Sequence, residues 1–112
     1  MKRKSTIRYA EPKLKKALED LKNSSTENQQ LCYFINRALD DLEENAFAGI
    51  QIPKNLIPKE YIRKYGIDNC WKYNLPNAWR LIYYVVDAGE ILLINLILEW
   101  LDHKNYERKF KY

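Results

Sequence analysis

The chain has few of the residues that mark the commonest special classes. It has two cysteines, Cys32 and Cys70, and one histidine, His103, so no Cys/His cluster with zinc-ligand spacing exists. Both cysteines read as small buried hydrophobes, and two isolated thiols fit a reducing, cytoplasmic setting. Three glycines and four prolines are too few for a low-complexity linker, and no internal repeat is visible. The longest apolar run, Ile91 to Trp100, contains Asn95 and Glu99 and is about half a bilayer span. The basic start, Met1-Lys2-Arg3-Lys4-Ser5, has no apolar stretch behind it and does not read as a signal peptide.

What remains is a 112-residue chain, which is the length of one domain. Nine tyrosines and three tryptophans supply enough apolar area for so small a core. The net charge of +4 is unevenly placed. Between Ser24 and Ile52 a single cation, Arg37, stands against Glu27, Asp40, Asp41, Glu43 and Glu44, which leaves +8 on the rest. That imbalance is compatible either with ordinary solvated surface or with a face for a polyanion, nucleic acid above all.

Hydrophobic spacing predicts the elements. Ser5 to Tyr9 reads as a strand with Ile7 and Tyr9 on one face. Pro12 suits a first helical turn, and Leu14, Ala17, Leu18 and Leu21 give an amphipathic helix over 12–22. Thr26 and Gln29 form a capping-box pattern before a second helix running to about Asn45. Residues 46–66 are irregular, with one or two helical turns at Lys59 to Tyr65. Strands are expected at Asn69–Leu75, Ala78–Val86 and Glu90–Trp100, with turns at Pro76-Asn77 and Ala88-Gly89. The tail from Asp102 is a short helix or an extended arm. The predicted class is α+β: β-α-α-β-β-β plus a short C-terminal element, an antiparallel sheet with a helical hairpin on one face.

A two-residue turn at Ala88-Gly89 pairs Asp87 with Glu90, Tyr84 with Leu93, Ile82 with Asn95 and Arg80 with Ile97. One face then carries Trp79, Leu81, Tyr83 and Val85 with Leu92, Ile94, Leu96, Leu98 and Trp100, and is assigned to the helices. The opposite, wet face receives Arg80. Trp71, Tyr73 and Leu75 belong in the core, which sends Lys72 and Asn74 to the face of Arg80. That placement demands a bulge or an odd-length loop at Pro76-Asn77, because a buried unpaired lysine is the costlier alternative. Arg80 has two readings, a structural pair with Glu99 or a fork for a phosphate. His103, with Lys104, Tyr106 and Arg108 behind it, reads either as a proton-moving cluster or as a solvated tail.

The segments Asp68-Asn69-Cys70-Trp71-Lys72-Tyr73-Asn74-Leu75 and Trp79-Arg80-Leu81-Ile82-Tyr83 resemble the core of the RelE/ParE superfamily of toxin–antitoxin toxins. The close, Trp100-Leu101-Asp102-His103-Lys104-Asn105-Tyr106-Glu107-Arg108, is similar to the His-x-x-Tyr ending of the RelE and HigB branches, archaeal members above all. The resemblance is sharp over residues 68 to 110 and topological over 1 to 45. It implies a single RelE-like toxin domain over 1–112 in the cytoplasm, acting as a metal-free, cofactor-free endoribonuclease on messenger RNA in the ribosome. It also implies a partner antitoxin and no membrane. By position, Arg80 stabilises the phosphorane-like charge, Lys72 sits beside the scissile phosphate, Tyr106 positions or activates the nucleophile, and His103 is a general acid or base. Lys104, Arg108, Lys64 and Asn74 are the expected nucleic-acid contacts. Asn74 stands where RelE has a second lysine, and Glu99-Trp100 where it has a further arginine. The superfamily also holds non-cutting members, and the alternative of a gyrase poison or a nucleic-acid- or protein-binding module stays open.

Overall fold

A computed structural model describes residues 4–89 and 92–110. The order is β1 (Lys4–Tyr9), α1 (Pro12–Lys22), α2 (Thr26–Glu44), β2 (Ile50–Gln51), α3 (Lys59–Tyr65), β3 (Trp71–Asn74), β4 (Arg80–Asp87), β5 (Leu92–Leu101) and α4 (His103–Phe110). Short 3-10 turns fall at Lys54–Leu56 and Pro76–Ala78. The fold is α+β, with a five-stranded mixed sheet in the order β1-β5-β4-β3-β2 and four helices. No helix among the described residues is long and apolar enough to cross a membrane.

The helices form where the spacing places them. Pro12 opens α1, and at its end the Asn23 N–H donates to the Asp20 carbonyl and the Ser24 N–H to the Leu21 carbonyl. The cap of α2 is one residue earlier than the capping-box pattern suggests. Ser25, not Thr26, accepts the Asn28 N–H on its side chain, at 3.3 Å. Leu31, Ile35, Ala38, Leu39 and Leu42 of α2 are buried against the sheet.

The expectation of an antiparallel sheet is corrected at β1, which runs parallel to β5 from Lys4↔Leu92 to Tyr9↔Ile97. Alternation of Ile7 and Tyr9 tells which side of a strand is apolar but not which way it runs. Direction is decided by tertiary packing: β1 takes the edge of the sheet beside β5 and runs with it. A fifth strand, β2, adds to β3 from within the segment read as irregular.

The hairpin register is also corrected. Asp87 stands opposite Leu93, Val85 opposite Asn95, and Tyr83 opposite Ile97. A bulge between Ile82 and Tyr83 then skips Leu98, so that Ile82 faces Glu99 and Arg80 faces Leu101. The expected partner of Asp87, Glu90, lies outside the described residues. Leu81, Tyr83 and Val85 do face the helices, but with Leu93 and Ile97 rather than Leu96 and Leu98.

The face expected to be wet is covered. Ile82 and Leu98 belong to a second core with Ile52, Ile57, Tyr61, Ile67, Tyr106 and Phe110, built under α3 and α4. A strand buried on both faces is apolar throughout, so alternation in β5 does not identify the helical side.

Gly49 shows how closely the layers approach. Its N–H donates to the Tyr83 hydroxyl, which donates to the Ala46 carbonyl, both at 3.0 Å. A Cβ at Gly49 would lie 2.5 Å from that hydroxyl and 2.6 Å from the Lys72 carbonyl oxygen. The Gly49→Ala variant is expected to lose about 1–3 kcal/mol, the usual cost of overpacking. A denaturation midpoint equal to that of wild type would contradict this.

Candidate functional site

The site is assembled by the loop between β3 and β4. The Leu75 N–H donates to the Trp79 carbonyl at 2.9 Å, closing an odd-length loop over Pro76, Asn77 and Ala78. Asn77 and Ala78 take left-handed φ values of 62° and 63°. Asparagine tolerates that region far better than alanine does. The odd loop pairs Lys72 with Ile82 and Asn74 with Arg80. Lys72, Asn74 and Arg80 therefore share one face, while Trp71, Tyr73 and Leu75 pack on the first core.

The fourth member arrives on α4. Asp102 caps this helix, its side chain accepting the Asn105 N–H and its carbonyl the Tyr106 N–H. Tyr106 and Phe110, one turn apart, form the buried side of the helix, with ring centroids 4.6 Å apart. The Lys72 ammonium donates to the Tyr106 hydroxyl at 3.2 Å and lies 5.2 Å from its ring centroid. The Arg80 guanidinium also lies 5.2 Å from that centroid. Two cations are thus held around one phenol ring. The fork of the Arg80 guanidinium suits a phosphate.

Arg80 has no carboxylate partner among the described residues. Its Nη1 donates to the Trp79 carbonyl at 3.3 Å, and its buried Nε has no hydrogen-bond partner. Of its two sequence readings, the pair with Glu99 is not formed. Glu99 instead accepts from the Tyr61 hydroxyl and from Lys109, at 3.2 Å from the latter.

The remaining expected residues stand apart from this cluster. His103 is exposed at the start of α4, and its Nε2 meets Glu107 at 2.8 Å. Lys104 is exposed on the same helix. Arg108 lines a groove between α3 and α4. Lys64 is held at 2.9 Å by Glu11, whose carboxyl is lowered first by that hydrogen bond. Among the described residues, no three His, Cys, Asp or Glu side chains gather as metal ligands.

A polar network that sequence spacing did not reveal ties α4 in place. Lys109 bridges Glu60 of α3 at 3.0 Å and Glu99 of β5. Burial lowers the ammonium's pKa, but the two carboxylates outweigh that effect and the net shift is upward. The Lys109 hydrogen bond lowers Glu60. The available signal was that Ile57, Tyr61 and Phe110 are large apolar side chains with no place in a one-sided core.

Several phenols are held neutral. Burial first, then the Glu99 carboxylate, pushes Tyr61 far above its ordinary value. The hydrogen bond to Asp41, then burial, raises Tyr73 to about 12. Burial raises Tyr83. Because these folded-state values lie above the unfolded one near 10, their stabilisation is complete below that pH. It is lost as pH rises through the folded values. An ultraviolet titration is expected to show these three phenols neutral at pH 10.5, ionising only as the protein unfolds. Ionisation of all nine tyrosines near pH 10 in the folded protein would contradict it.

Comparison of the chain with protein-family models, with curated proteins and with solved structures finds no match.

Proposed function

We propose that this α+β protein is a RelE-like toxin, a metal-free endoribonuclease that cuts messenger RNA on the ribosome and is neutralised by a partner antitoxin in the cytoplasm. The reading is carried by one observation, the gathering of Lys72 and Arg80 around Tyr106. Residues 34 positions apart in the chain meet there, at the positions that the resemblance assigns to chemistry.

In this reading the ribose 2′-hydroxyl attacks the neighbouring phosphorus, and the bond to the 5′-oxygen breaks. Arg80 and Lys72 take up the charge that grows on the non-bridging oxygens. Tyr106, held by Lys72, positions the attacking hydroxyl. His103 delivers or removes a proton from the exposed start of α4, where RNA reaches it without rearrangement of the core. Asn74, beside Arg80 in the sheet, is a neutral contact to the strand. An acidic antitoxin segment suits the same cationic face.

Two observations favour a second reading, a non-cutting member of the same superfamily. His103 pairs with Glu107 and does not touch the cluster, and Tyr106 is only 3% exposed. Mapping messenger 5′ ends after induced expression separates the two. New ends within translated frames are expected for the nuclease. Growth inhibition without new ends, accompanied by altered DNA supercoiling, would replace it with a gyrase poison.

A further inference from the structure

A groove of about 920 Å3 lies between the Lys54–Leu56 turn and α3 on one side and α4 with the end of β5 on the other. It does not include Lys72, Arg80 or Tyr106. Arg108 and Lys109 of α4 line it, whereas Tyr106 of the same helix turns to Lys72. Its volume is near the top of the range of about 300–1,000 Å3 typical of ligand clefts.

The groove is lined by more cations than anions: Lys59, Arg63, Arg108 and Lys109 against Glu60 and Glu99. Both of its carboxylates, Glu60 and Glu99, are bridged by Lys109, and Glu99 also accepts from Tyr61. Lys59, Arg63 and Arg108 are exposed and have no carboxylate partner among the described residues. An incoming anion therefore meets three exposed cations without carboxylate partners among the described residues, while both carboxylates are engaged by Lys109. The same helix α4 also exposes Lys104.

We propose that this groove holds the sugar–phosphate backbone of single-stranded RNA on a stretch away from the reacting phosphate, with Lys59, Arg63 and Arg108 as its phosphate contacts. This rests on the reading above that RNA is the ligand of the Lys72–Arg80 cluster. The groove has no stacking platform, because its aromatic lining residue, Phe110, is 4% exposed. It therefore adds affinity and salt dependence without sequence preference.

The test is anisotropy titration of a short, unstructured, 2′-O-methylated RNA over a series of salt concentrations. Wild type is compared with the triple variant Lys59→Ala/Arg63→Ala/Arg108→Ala. Three lost phosphate contacts on a single strand predict a salt slope smaller by about 2 and binding at low salt weaker by about tenfold or more. The single variant Arg108→Glu is expected to weaken binding as well, with an unchanged melting curve. Arg80→Ala is expected to reduce the slope by only about one contact. Unchanged affinity and slope in both groove variants would overturn the proposal. So would loss of poly-glutamate binding with RNA binding intact, since the groove would then be a protein dock. If messenger is never cut but the triple variant still loses RNA, the groove assignment stands and the nuclease reading falls.

Discussion

Replacing Arg80 with alanine is expected to slow RNA cleavage on translating ribosomes by about 100- to 1,000-fold, the usual effect of deleting one preorganised donor to transition-state charge. Folding should be almost unaffected. The guanidinium makes one hydrogen bond, to the carbonyl of its own neighbour, and one ring contact, and it has no carboxylate partner among the described residues. Its removal also lessens repulsion on Lys72, so the stability change should stay within about 1 kcal/mol. Arg80→Lys keeps the charge and loses the fork, and should recover only part of the rate. Cleavage by Arg80→Ala at the wild-type rate would remove Arg80 from the chemistry and with it the proposed function.

The largest effect on stability is expected at Asn95, which is fully buried in β5. Its side-chain amide donates to the Ser5 hydroxyl, to the Thr6 carbonyl at 3.2 Å and to the Leu42 carbonyl at 3.2 Å. One amide thus joins the parallel strand β1 and the helix α2 to the middle of the sheet. Asn95→Asp puts a carboxylate against those two carbonyl oxygens. A buried charge without compensation costs about 3–5 kcal/mol. The new carboxyl's pKa is raised by burial, so the variant should regain stability as pH falls and the group becomes neutral. Chemical denaturation at pH 7 and at pH 5 measures both effects. A variant as stable as wild type at pH 7 would show that this amide is not what joins the three elements.

The helices, the strands near 71–74 and 80–87, and the odd loop between them were legible in the sequence because each is a local matter. Leu14, Leu18 and Leu21 repeat at helical spacing, and the alternation of Trp71 and Tyr73 with Lys72 and Asn74 leaves only one low-cost way to turn the chain. That reasoning put Lys72, Asn74 and Arg80 on one face, as found. It failed in β5, where Leu92 to Leu101 is apolar on both sides and its register depends on a bulge at Leu98.

The sequence by itself determined the layer of two helices, the side of the sheet on which Lys72 and Arg80 emerge, and a surplus of positive charge outside α2. Only the tertiary structure decided that β1 runs parallel to β5, that α3 and α4 cover the second face, and that Glu99 goes to Lys109 rather than to Arg80. The reason is physical. Spacing along a chain fixes which way a side chain points from its own element. Which of several oppositely charged groups it meets depends on where other elements come to rest.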